Sequence, residues 1–439
     1  MLTQMQAKNF KSWEDTGPIR LAPLTGFFGA NSSGKSSLLQ TLLLFKMTTE
    51  SNDRNIVLKT AQEDLIDLGT IYDLLRHEKS AMDFSFAWNM PLENSIGFAY
   101  NSNENKEAVA AHINELLFKT RLGMKKNSIF VSSLEYHGDD FLSVIMRYID
   151  NVDSYHLETL VDGQPTNLVS PSDFKSDMVS TLKSYGFAGY LTLTTPILND
   201  FNFAFEQLFD RVHYLGPLRE YPRRTYGWSG ESPSNVGTRG EYSIAVMLAN
   251  ISLEIKEKVS EWLVNLGLVK SFELNQLSRT QYEVRVVQQA SHESVSIADT
   301  GFGISQILPI LVLCYSVPKG SILLIEQPEI HLHPSVQAGL ADVFIDAIKT
   351  RGIQIIMESH SEHFLRRLQR RIAEGVFAND DTALYFCEIE GTTSVLNALE
   401  IDDGGNIRNW PTNFFGDILG DLYAMVMADT QRQISNGKS

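Results

Sequence analysis

The chain has 439 residues, more than one typical domain, which predicts either a large domain carrying an insertion or two domains. Its composition, 43% hydrophobic and 21% charged, is that of an ordinary soluble globular protein. The net charge of −16, from 37 basic and 53 acidic residues, argues against a protein that coats nucleic acid non-specifically, while leaving room for a local basic groove.

Three features of the sequence predict a cytoplasmic protein without membrane contact. The N-terminal residues MLTQMQAKNFKSW lack the charged-then-apolar pattern of a secretion signal. The longest largely apolar stretch, residues 304–317, contains Ser305 and Gln306 and is shorter than the roughly 20 residues that span a bilayer, so it predicts a core helix. Cys314 and Cys387 lie in apolar runs and predict buried, reduced thiols rather than a disulfide or a metal pair.

Residues 1–90 form the first block of the chain. They predict strands at Leu2–Phe10 and Ile19–Phe28, then a glycine-rich loop, then an apolar helix at Ser37–Phe45. Further on, Asp64–Arg76 predicts a turn that leads into a short amphipathic helix. Strand, loop and helix in this order form the frame that a phosphate-binding loop needs.

The glycine-rich loop reads GANSSGKSS and fits the phosphate-binding pattern of Gly, four residues, Gly-Lys-Ser. Its glycines let backbone N–H groups point at phosphate oxygens, and the following helix adds the positive end of its dipole. In this pattern Lys35 reaches the β- and γ-phosphates and the Ser36 hydroxyl ligates Mg²⁺. The alternative, a chance surface loop rich in Gly and Ser, does not account for the apolar strand and helix on either side. The candidate contacts are Gly29, Asn31, Ser32, Ser33, Gly34, Lys35, Ser36 and Ser37.

Residues 91–210 differ from the first block in composition and in hydrophobic pattern. Turns rich in Asn, Gly and Asp separate alternating segments, and two amphipathic helices are predicted at Glu107–Leu122 and Asp173–Tyr185. The pattern favours an α+β insertion over a continuation of a parallel sheet. Heptads are not sustained anywhere in this region, which excludes a long coiled-coil arm.

The core is predicted to resume after residue 210, with a polar loop at Arg219–Glu241. The elements predicted around this loop are a strand at Val212–Leu218, helices at Tyr242–Ala249 and Glu254–Leu266, and strands at Ser271–Asn275 and Tyr282–Gln288. After residue 400 the sequence predicts a compact aromatic turn at Asn409–Asp417 and a final helix at Ile418–Met427.

A buried strand is predicted at Ile322–Ile325, and it ends in Glu326. An acid at the C-terminal end of a parallel strand beside a phosphate-binding loop is where Mg²⁺ is held, directly or through water. The alternative is a core strand that happens to end in a carboxylate. Together with the loop, the pattern predicts Ser36 and Glu326 as the metal-associated residues.

Two further segments carry candidate functional residues. DTGFGISQILP, residues 299–309, has a glycine-rich start to a helix, which is also a common helix cap. QIIMESHSEH, residues 354–363, is an apolar strand that ends next to His360, and such a histidine can equally be a capping or core residue. Zinc binding by His331, His333, His360 and His363 is disfavoured, because cysteines and a suitable carboxylate spacing are missing.

Taken in order, these motifs resemble those of the OLD- and RecF-like branch of the ABC-type ATPases. That branch carries an apolar strand, two acidic positions, Pro-Glu and Leu-His-Pro. The residues here that match are Glu326, Gln327, Pro328, Glu329, Leu332, His333 and Pro334. NFKSW, GANSSGKSSLL and YLGPLRE also look like the bacterial predicted ATPases of this group, and WPTNFFGD resembles the small C-terminal element of one subfamily.

The resemblance implies roles for the matched residues. His360 resembles the switch histidine that contacts the γ-phosphate. The glycine-rich helix start resembles the signature motif that touches the γ-phosphate of nucleotide bound by a partner subunit, and its candidates are Thr300, Gly301, Gly303 and Ser305. Gln327 departs from the pattern, since family members commonly place the catalytic glutamate there. Glutamine cannot accept a proton from the attacking water but can orient it, so hydrolysis is expected to be slow, or Glu329 acts as the base.

The resemblance also implies an architecture. We expect an α/β P-loop ABC-type ATPase head with a mixed or parallel sheet, built from residues 1–90 and 211–400. Residues 91–210 would form the α+β insertion and residues 401–439 a short C-terminal element. A Toprim nuclease domain follows the head in some relatives, but only about 40 residues follow position 400 here, too few for one.

Three functions compete at this stage. The leading hypothesis is an ATP- and Mg²⁺-binding homodimer or larger assembly that regulates a separately encoded nuclease or toxin in antiphage defence. The second is a repair ATPase that binds DNA directly, and the third is a scaffold that never turns ATP over. A transporter subunit is disfavoured by the large insertion. The sequence also contains two clusters of arginines. The default interpretation is that they are solvated charges on the surface, and the alternative is a contact with nucleic acid or a partner. They are Arg219, Arg223 and Arg224, and Arg366, Arg367, Arg370 and Arg371.

Overall fold

A computed structural model provides the fold of the chain. It describes residues 1–53, 56–76, 79–91, 94–101, 108–125, 128–139, 141–166, 172–175, 183–187, 196–249, 253–289, 292–411, 414, 424–430 and 432. None of the helices in these ranges is long and apolar enough to cross a membrane.

The first half of the described chain consists mainly of strands. These are β1 (Leu2–Phe10), β2 (Trp13–Asp15), β3 (Ile19–Arg20), β4 (Leu24–Gly29), β5 (Ala61–Gln62), β6 (Ile66–Asp67), β7 (Ala81–Asn89), β8 (Ile96–Asn101), β9 (Ala108–Ile113), β10 (Glu115–Lys125), β11 (Ser128–Gly138), β12 (Leu142–Ile149), β13 (Ser154–Val161), β14 (Gln164–Pro165) and β15 (Ser172–Lys175). The helices here are α1 (Lys35–Glu50) and α2 (Ile71–Leu74), with a 3₁₀ turn at Asp150–Val152.

The second half alternates helices and strands. Its strands are β16 (Val212–Leu215), β17 (Tyr226–Gly227), β18 (Val269–Gln276), β19 (Gln281–Gln288), β20 (Ser294–Ser296), β21 (Ile322–Glu326), β22 (Gln354–Glu358), β23 (Thr382–Glu390) and β24 (Thr393–Ala398). Its helices are α3 (Pro196–Asp210), α4 (Ser243–Ala249), α5 (Leu253–Asn265), α6 (Phe302–Ser316), α7 (Pro334–Arg351) and α8 (Glu362–Ala373), with a 3₁₀ turn at Ile297–Asp299.

A six-stranded sheet in the order β16-β21-β22-β4-β23-β24 carries the predicted motifs. All of its pairings are parallel except β23 with β24. Every residue of β4, β21 and β22 is buried, as expected for parallel strands covered on both faces. Because these strands run in the same direction, their C-terminal ends lie along one edge of the sheet, and this edge holds the candidate site.

A second, antiparallel sheet of ten strands packs on α1 and α3. Its main order is β14-β13-β12-β11-β10-β7-β1-β2, with β3 on β1 and β15 on β13. Phe45 of α1 lies at the centre of the shared core. Its ring centroid is 4.9 Å from that of Phe86 and 5.2 Å from that of Phe84. The ring centroid of Phe205 in α3 lies 5.9 Å from that of Phe45. The helix that begins at the glycine-rich loop is therefore held between the two large sheets.

The opposite face of the parallel sheet is covered by α6, α7 and α8. α6 is buried along nearly its whole length, from Ile304 to Tyr315. A small antiparallel sheet of β17, β19, β18 and β20 leads into it through the 3₁₀ turn at Ile297–Asp299. The packing of α6 against this sheet and the neighbouring helices fixes the start of α6, where the predicted signature residues lie.

Several predicted elements are confirmed. The strand at Leu2–Phe10, the core helix now seen as α6, the acidic strand β21 and the strand β22 are where the sequence indicated. The strand predicted at Ile19–Phe28 is two strands, because the chain turns at Pro23 and moves from the antiparallel sheet into the parallel one. The strand predicted at Val212–Leu218 ends at Leu215, before Gly216 and Pro217.

The helix predicted at Glu107–Leu122 is wrong, since the described part of this range forms β9 and β10. In β10, Leu116, Phe118 and Leu122 are buried, while Glu115, Lys119 and Arg121 are exposed. This period of two is that of a strand with one face on the core.

The helix predicted at Asp173–Tyr185 is also wrong at its described ends. Residues 173–175 belong to β15, and residues 183–185 are not helical. Residues 176–182 lie outside the described part. Of the final helix predicted at Ile418–Met427, residues 424–427 are helical, and residues 418–423 lie outside the described part.

The strands of residues 91–210 are continuous with those of the first block. β10 pairs with β7 from Glu115–Asn89 to Gly123–Ala81, and β7 pairs with β1. The strands on either side of residue 91 therefore share one sheet. The division of the chain into residues 1–90 with 211–400, 91–210 and 401–439 stays a prediction.

Candidate nucleotide-binding site

The glycine-rich loop lies between β4, which ends at Gly29, and α1, which begins at Lys35. Gly29 and Gly34 have φ values of 135° and 93°, which side chains rarely adopt. A Cβ on Gly29 would lie 2.1 Å from the carbonyl oxygen of Cys387, and one on Gly34 would lie 2.6 Å from Ser394 Oγ. Both glycines of the motif are therefore required by the backbone and by its neighbours.

The outer side of this loop is held by Ser12 and Trp13 of NFKSW, to which the sequence assigned no role, and by Arg76 and Ser394. Trp13, which is fully buried, donates from Nε1 to the Gly34 carbonyl oxygen at 3.2 Å. Ser394 Oγ donates to Ser12 Oγ at 2.7 Å, and Arg76 Nη1 donates to the Ser12 carbonyl oxygen at 2.7 Å. Long-range contacts between β2, β24 and the end of α2 thus fix the loop, and no local pattern reveals them.

Lys35 and Ser36 both face Glu358, the last residue of β22. Ser36 Oγ donates to Glu358 Oε2 at 2.6 Å, and Lys35 Nζ lies 3.9 Å from Glu358 Oε1. Lys35 Nζ also donates to the Ala30 carbonyl oxygen at 2.6 Å. Burial lowers the pKa of Lys35, while the negative charge of Glu358 opposes this shift. Glu358 was not among the predicted site residues, although it ends an apolar strand in the same way as Glu326.

Glu326 lies beside Glu358, because the two residues are paired in register on β21 and β22. Burial, together with the nearby charge of Glu358, raises the pKa of Glu326 to about 7. The Tyr214 hydroxyl opposes this by donating to Glu326 Oε1 at 3.0 Å. The edge of the sheet therefore carries two buried carboxylates next to the hydroxyl of Ser36.

This donor set fits Mg²⁺, which prefers oxygen ligands and keeps several waters when it binds with phosphates. Ser36, Glu326 and Glu358 would hold the ion. In the described part of the chain, no group of three or more His, Cys, Asp or Glu side chains is placed to hold a metal alone. His333, one of the histidines considered for zinc, instead accepts from the Ser335 backbone N–H at 3.3 Å as the cap of α7.

Gln327 and Glu329 follow Glu326 in a turn along the same edge. The backbone N–H of Gln327 donates to the Glu358 carbonyl oxygen at 2.9 Å, and Gln327 has a φ of 44°. Glu329 is buried, and its Oε1 accepts from the backbone N–H of His360. Burial raises the pKa of Glu329. Its Oε2 has no hydrogen-bond partner among the described residues.

His360 is half-buried where the chain leaves β22. Burial lowers the pKa of His360 and the positive charge of Lys35 lowers it further, so both effects favour the neutral ring. Ser361 next to it caps α8, because its Oγ accepts from the Phe364 backbone N–H at 3.1 Å. The structure thus brings six of the predicted site residues to one edge of the sheet: Lys35, Ser36, Glu326, Gln327, Glu329 and His360. Their roles stay predictions.

The predicted signature residues lie at the start of α6, where Gly301 is the N-cap. Thr300 Oγ1 donates to the Ile297 carbonyl oxygen at 2.7 Å, and Ser305 Oγ donates to the Phe302 carbonyl oxygen at 2.8 Å. Gly301 is exposed, and a Cβ there would meet no atom within 4 Å. Among the described hydrogen bonds, those of Thr300 and Ser305 stay within their own turn and do not reach the glycine-rich loop.

The arginine clusters are not uniformly solvated, which corrects the default interpretation. Arg219 is only 6% exposed, whereas Arg223 and Arg224 of the same loop are exposed and pair with Glu220 and Asp299. In the second cluster, Arg366 and Arg370 are exposed. Arg367 and Arg371 are half-buried and bind the two carboxylate oxygens of Asp342.

The C-terminal aromatic turn packs against the strand that leads into the glycine-rich loop. The ring of Phe414 lies 4.9 Å from Phe386, 5.0 Å from Trp410 and 5.8 Å from Phe28. Arg366 lies over the Trp410 ring at 4.7 Å. Phe28 precedes Gly29 directly, so this element contacts the back of the site.

Comparison with known families gives two matches. A family model described as an AAA ATPase domain matches residues 1–167 and 242–365, which is more than half of the chain. A second model, described as a protein of unknown function (DUF3696), matches residues 378–425. No curated protein matches the chain.

The solved structures similar to this chain include three SMC heads. The SMC head domain from Thermotoga maritima is 10% identical, with a TM-score of 0.42 over 91% of this chain and 99% of that one. An Smc head bound to the C-winged helix domain of ScpA is 12% identical, with a TM-score of 0.45 over 92% and 98%. An Smc head bound to the C-terminal domain of ScpA derived from Pyrococcus furiosus is 11% identical, with a TM-score of 0.44 over 91% and 96%.

Proposed function

The chain belongs to the AAA ATPase domain family, and from this premise we propose that it binds ATP with Mg²⁺, hydrolyses it slowly, and uses the bound state to control a separate effector protein. The observation that carries the proposal is the meeting of the glycine-rich loop with two buried carboxylates. Ser36 lies 2.6 Å from Glu358, and Glu326 is paired with Glu358 on the next strand. The α/β P-loop fold expected of an ABC-type head is in agreement with this assignment.

ATP binding follows from the loop and the helix behind it. The backbone N–H groups of residues 29–36 and the N-terminus of α1 would hold the phosphate chain. In the structure, Lys35 Nζ donates to the Ala30 carbonyl oxygen and lies near Glu358. With ATP bound it would move to the β- and γ-phosphates, so that a hydrogen bond to a charged oxygen replaces the one to the backbone. Mg²⁺ would neutralise charge on the phosphates when bound, and Ser36, Glu358 and Glu326 would hold it.

Slow hydrolysis follows from Gln327. Its amide can orient the attacking water but cannot take the proton. Glu329 is the carboxylate of the same turn with an oxygen that has no partner among the described residues, and we assign it as the proton acceptor. Its raised pKa makes it a stronger base than a solvated glutamate, although a smaller fraction is ionised at a given pH.

A shared site is supported by the start of α6. Thr300, Gly301, Gly303 and Ser305 would close on the nucleotide bound by a second copy of the chain, giving a homodimer or a larger assembly. The support is that Gly301 is exposed and open to a close backbone approach, while the side-chain hydrogen bonds of Thr300 and Ser305 are satisfied inside the turn. Control of a nuclease or toxin in antiphage defence rests on the resemblance of the motifs alone. A cytoplasmic location is proposed from the two buried, unpaired cysteines.

Direct DNA binding is the less favoured function. The basic helix α8 keeps Arg367 and Arg371 on Asp342, and its Arg370 on Glu374, so much of its positive charge is already paired. A filter-binding assay with DNA over a salt series separates the two functions, because phosphate contacts give a steep loss of affinity with salt.

ATP turnover by the purified chain tests the proposal. We expect Mg²⁺-dependent turnover well below the roughly 10 s⁻¹ typical of enzymes, and a further loss in Gln327→Ala. Turnover at tens per second that Gln327→Ala leaves unchanged would contradict slow hydrolysis through Gln327. Absence of ATP binding in the wild type would contradict the proposal as a whole.

A further inference from the structure

Arg219 is a buried cation that the proposed function does not yet use. It follows β16 in the loop that begins Gly216-Pro217-Leu218, and only 6% of it is exposed. Its Nη2 donates to the Glu326 carbonyl oxygen at 3.3 Å, while Nε and Nη1 have no hydrogen-bond partner among the described residues. Burial of a charge that lacks partners is costly, so such a group is expected to meet an anion in some state of the protein.

The acids near Arg219 do not supply that partner. Glu326 Oε1 accepts from the Tyr214 hydroxyl, and Glu329 Oε1 accepts from the His360 backbone N–H. Both glutamates act on Arg219 electrostatically without a side-chain hydrogen bond to it. Burial lowers the pKa of Arg219 to about 10, so the guanidinium stays protonated at pH 7.

The neighbouring arginines of the same loop behave differently. Arg224 makes two hydrogen bonds to the carboxylate of Asp299, at 2.9 Å and 2.6 Å, and Arg223 pairs with Glu220. Both are largely exposed, so their charges are solvated as well as paired. The exposed arginines thus have acidic partners, Glu220 in the loop and Asp299 in the 3₁₀ turn. The nitrogens Nε and Nη1 of the buried Arg219 have none among the described residues.

Arg219 also lies beside the turn 326–329, since its Nη2 donates to the Glu326 carbonyl oxygen. The negative charge of Glu329 acts on both Arg219 and Lys35, which puts the turn 326–329 within electrostatic reach of the two cations. Lys35 is the residue expected to reach the γ-phosphate. A phosphate oxygen near Glu329 would therefore be within the field of two cations, one at the start of α1 and one in the loop after β16.

We propose that Arg219 is a catalytic residue that binds an oxygen of the terminal phosphate of the nucleotide held by the same chain. The inference rests on the proposed ATPase function. During hydrolysis the water oxygen bonds to the γ-phosphorus while the bond from that phosphorus to the bridging oxygen breaks. The electron pair leaves with ADP, and the proton of the water passes to Glu329. Arg219 stabilises the charge on the phosphoryl oxygens during this step, as arginines do in other phosphoryl transfers.

The contact distinguishes ATP from ADP, since only ATP has the terminal phosphate. In Arg219→Met we expect affinity for a non-hydrolysable ATP analogue to fall about 10- to 100-fold, the size of a lost charged hydrogen bond. Affinity for ADP should stay within about two-fold, because ADP does not reach Arg219. Turnover should fall about 10²- to 10³-fold, as when one preorganised donor is removed from a transition state.

Two variants and one stability measurement separate this role from a structural one. Arg219→Lys keeps the charge and should retain part of the preference for ATP over ADP. Arg223→Met, on the same loop and exposed, is the matched control and should behave as wild type. Without nucleotide, Arg219→Met should melt at the wild-type temperature or above it, because an unpaired buried charge has been removed.

Two results would overturn the inference. One is Arg219→Met with wild-type ATP affinity and turnover. The other is equal loss of ATP and ADP binding with a lower melting temperature in both Arg219→Met and Arg219→Lys, which would make the arginine a structural support of the turn 326–329. A wild-type chain that binds no ATP would instead refute the proposed function. The affinities, measured with fluorescent ATP and ADP analogues, and the melting curves therefore test the two claims separately.

Discussion

The two glycine-rich turns of the chain differ in what surrounds them. Gly34 in the first turn accepts from Trp13, and a side chain on Gly29 would collide with the Cys387 backbone. Gly301 in the second turn is exposed and has open space where a side chain would begin. The first turn is shaped by contacts inside the chain, whereas the second has a free surface. The difference suggests that the second turn acts on another copy of the molecule.

The same comparison applies to charge. The first turn faces Glu358 and Glu326, two buried carboxylates that need a cation. Next to the second turn, Asp299 is exposed and already paired with Arg224. Buried charge is therefore concentrated at the first turn, where Lys35 lies 3.9 Å from Glu358 and where Mg²⁺ and phosphates would bind. Single substitutions can change one side of this comparison at a time.

Glu358→Gln should have the largest effect, because it removes the carboxylate that Ser36 and Lys35 both face. We expect ATP turnover to fall about 10²- to 10³-fold and the Mg²⁺ concentration for half-maximal turnover to rise. A Mg²⁺ titration of turnover measures both quantities. Glu390→Gln, at the exposed end of β23, is the control. Unchanged turnover and Mg²⁺ dependence in Glu358→Gln would show that the carboxylate has no part in the reaction.

Glu326 should make the free energy of unfolding depend on pH, and we expect this effect to be smaller than that of Glu358→Gln. Its pKa is raised to about 7 in the folded chain, against 4.5 for an ordinary glutamate, by burial and by Glu358. Between these two values the folded chain holds more protons than the unfolded one. The contribution of this group to the free energy of unfolding therefore falls as pH rises from about 4.5 to 7, and is level above that.

We expect Glu326→Gln to raise the melting temperature of the nucleotide-free protein at pH 8, and to change it less at pH 5. Scanning calorimetry at the two pH values measures the difference. Equal shifts at both values would contradict a raised pKa of Glu326.

Trp13→Phe should have the smallest effect. It keeps the buried ring but removes the hydrogen bond to the Gly34 carbonyl oxygen. The expected loss is about 0.5–1.5 kcal/mol in the free energy of unfolding, measured by urea denaturation. The binding free energy of ATP should weaken by a similar amount, because the bond shapes the loop for phosphate. An unchanged affinity would limit the role of Trp13 to stability.

The sequence predicted the first turn well because its determinants are local. The spacing of Gly29, Gly34 and Lys35, and the strand that ends in Glu326, are patterns of adjacent residues. Glu358 carried the same signal as Glu326, but the Ser-His-Ser that follows it directed the interpretation to His360. Trp13 lies in NFKSW and Arg219 in YLGPLRE, two strings that resemble those of the family. Their roles could not be identified, because their burial depends on contacts with residues far away in the chain.

The errors in secondary structure have a similar cause. Residues 115–125 contain charged residues at positions that a helix also tolerates, and the period of two in their burial is clear only once β7 and β11 lie on either side. Pro23 separates β3 from β4, yet the apolar run around it reads as one strand. Pairing across the sheet overrode local propensity in the first case, and a change of sheet divided the run in the second.

The most direct test of the central claim is a mixing experiment with Lys35→Ala and Gly301→Asp chains. Each variant alone should be inactive, because one lacks the loop lysine and the other blocks the second turn. In a mixed dimer, the intact loop of the Gly301→Asp chain would meet the intact Gly301 of the Lys35→Ala chain and form one complete site. A 1:1 mixture should therefore recover about a quarter of wild-type turnover, as random pairing in a symmetric dimer gives. A mixture that co-assembles but stays as inactive as its components would contradict a site shared between two chains.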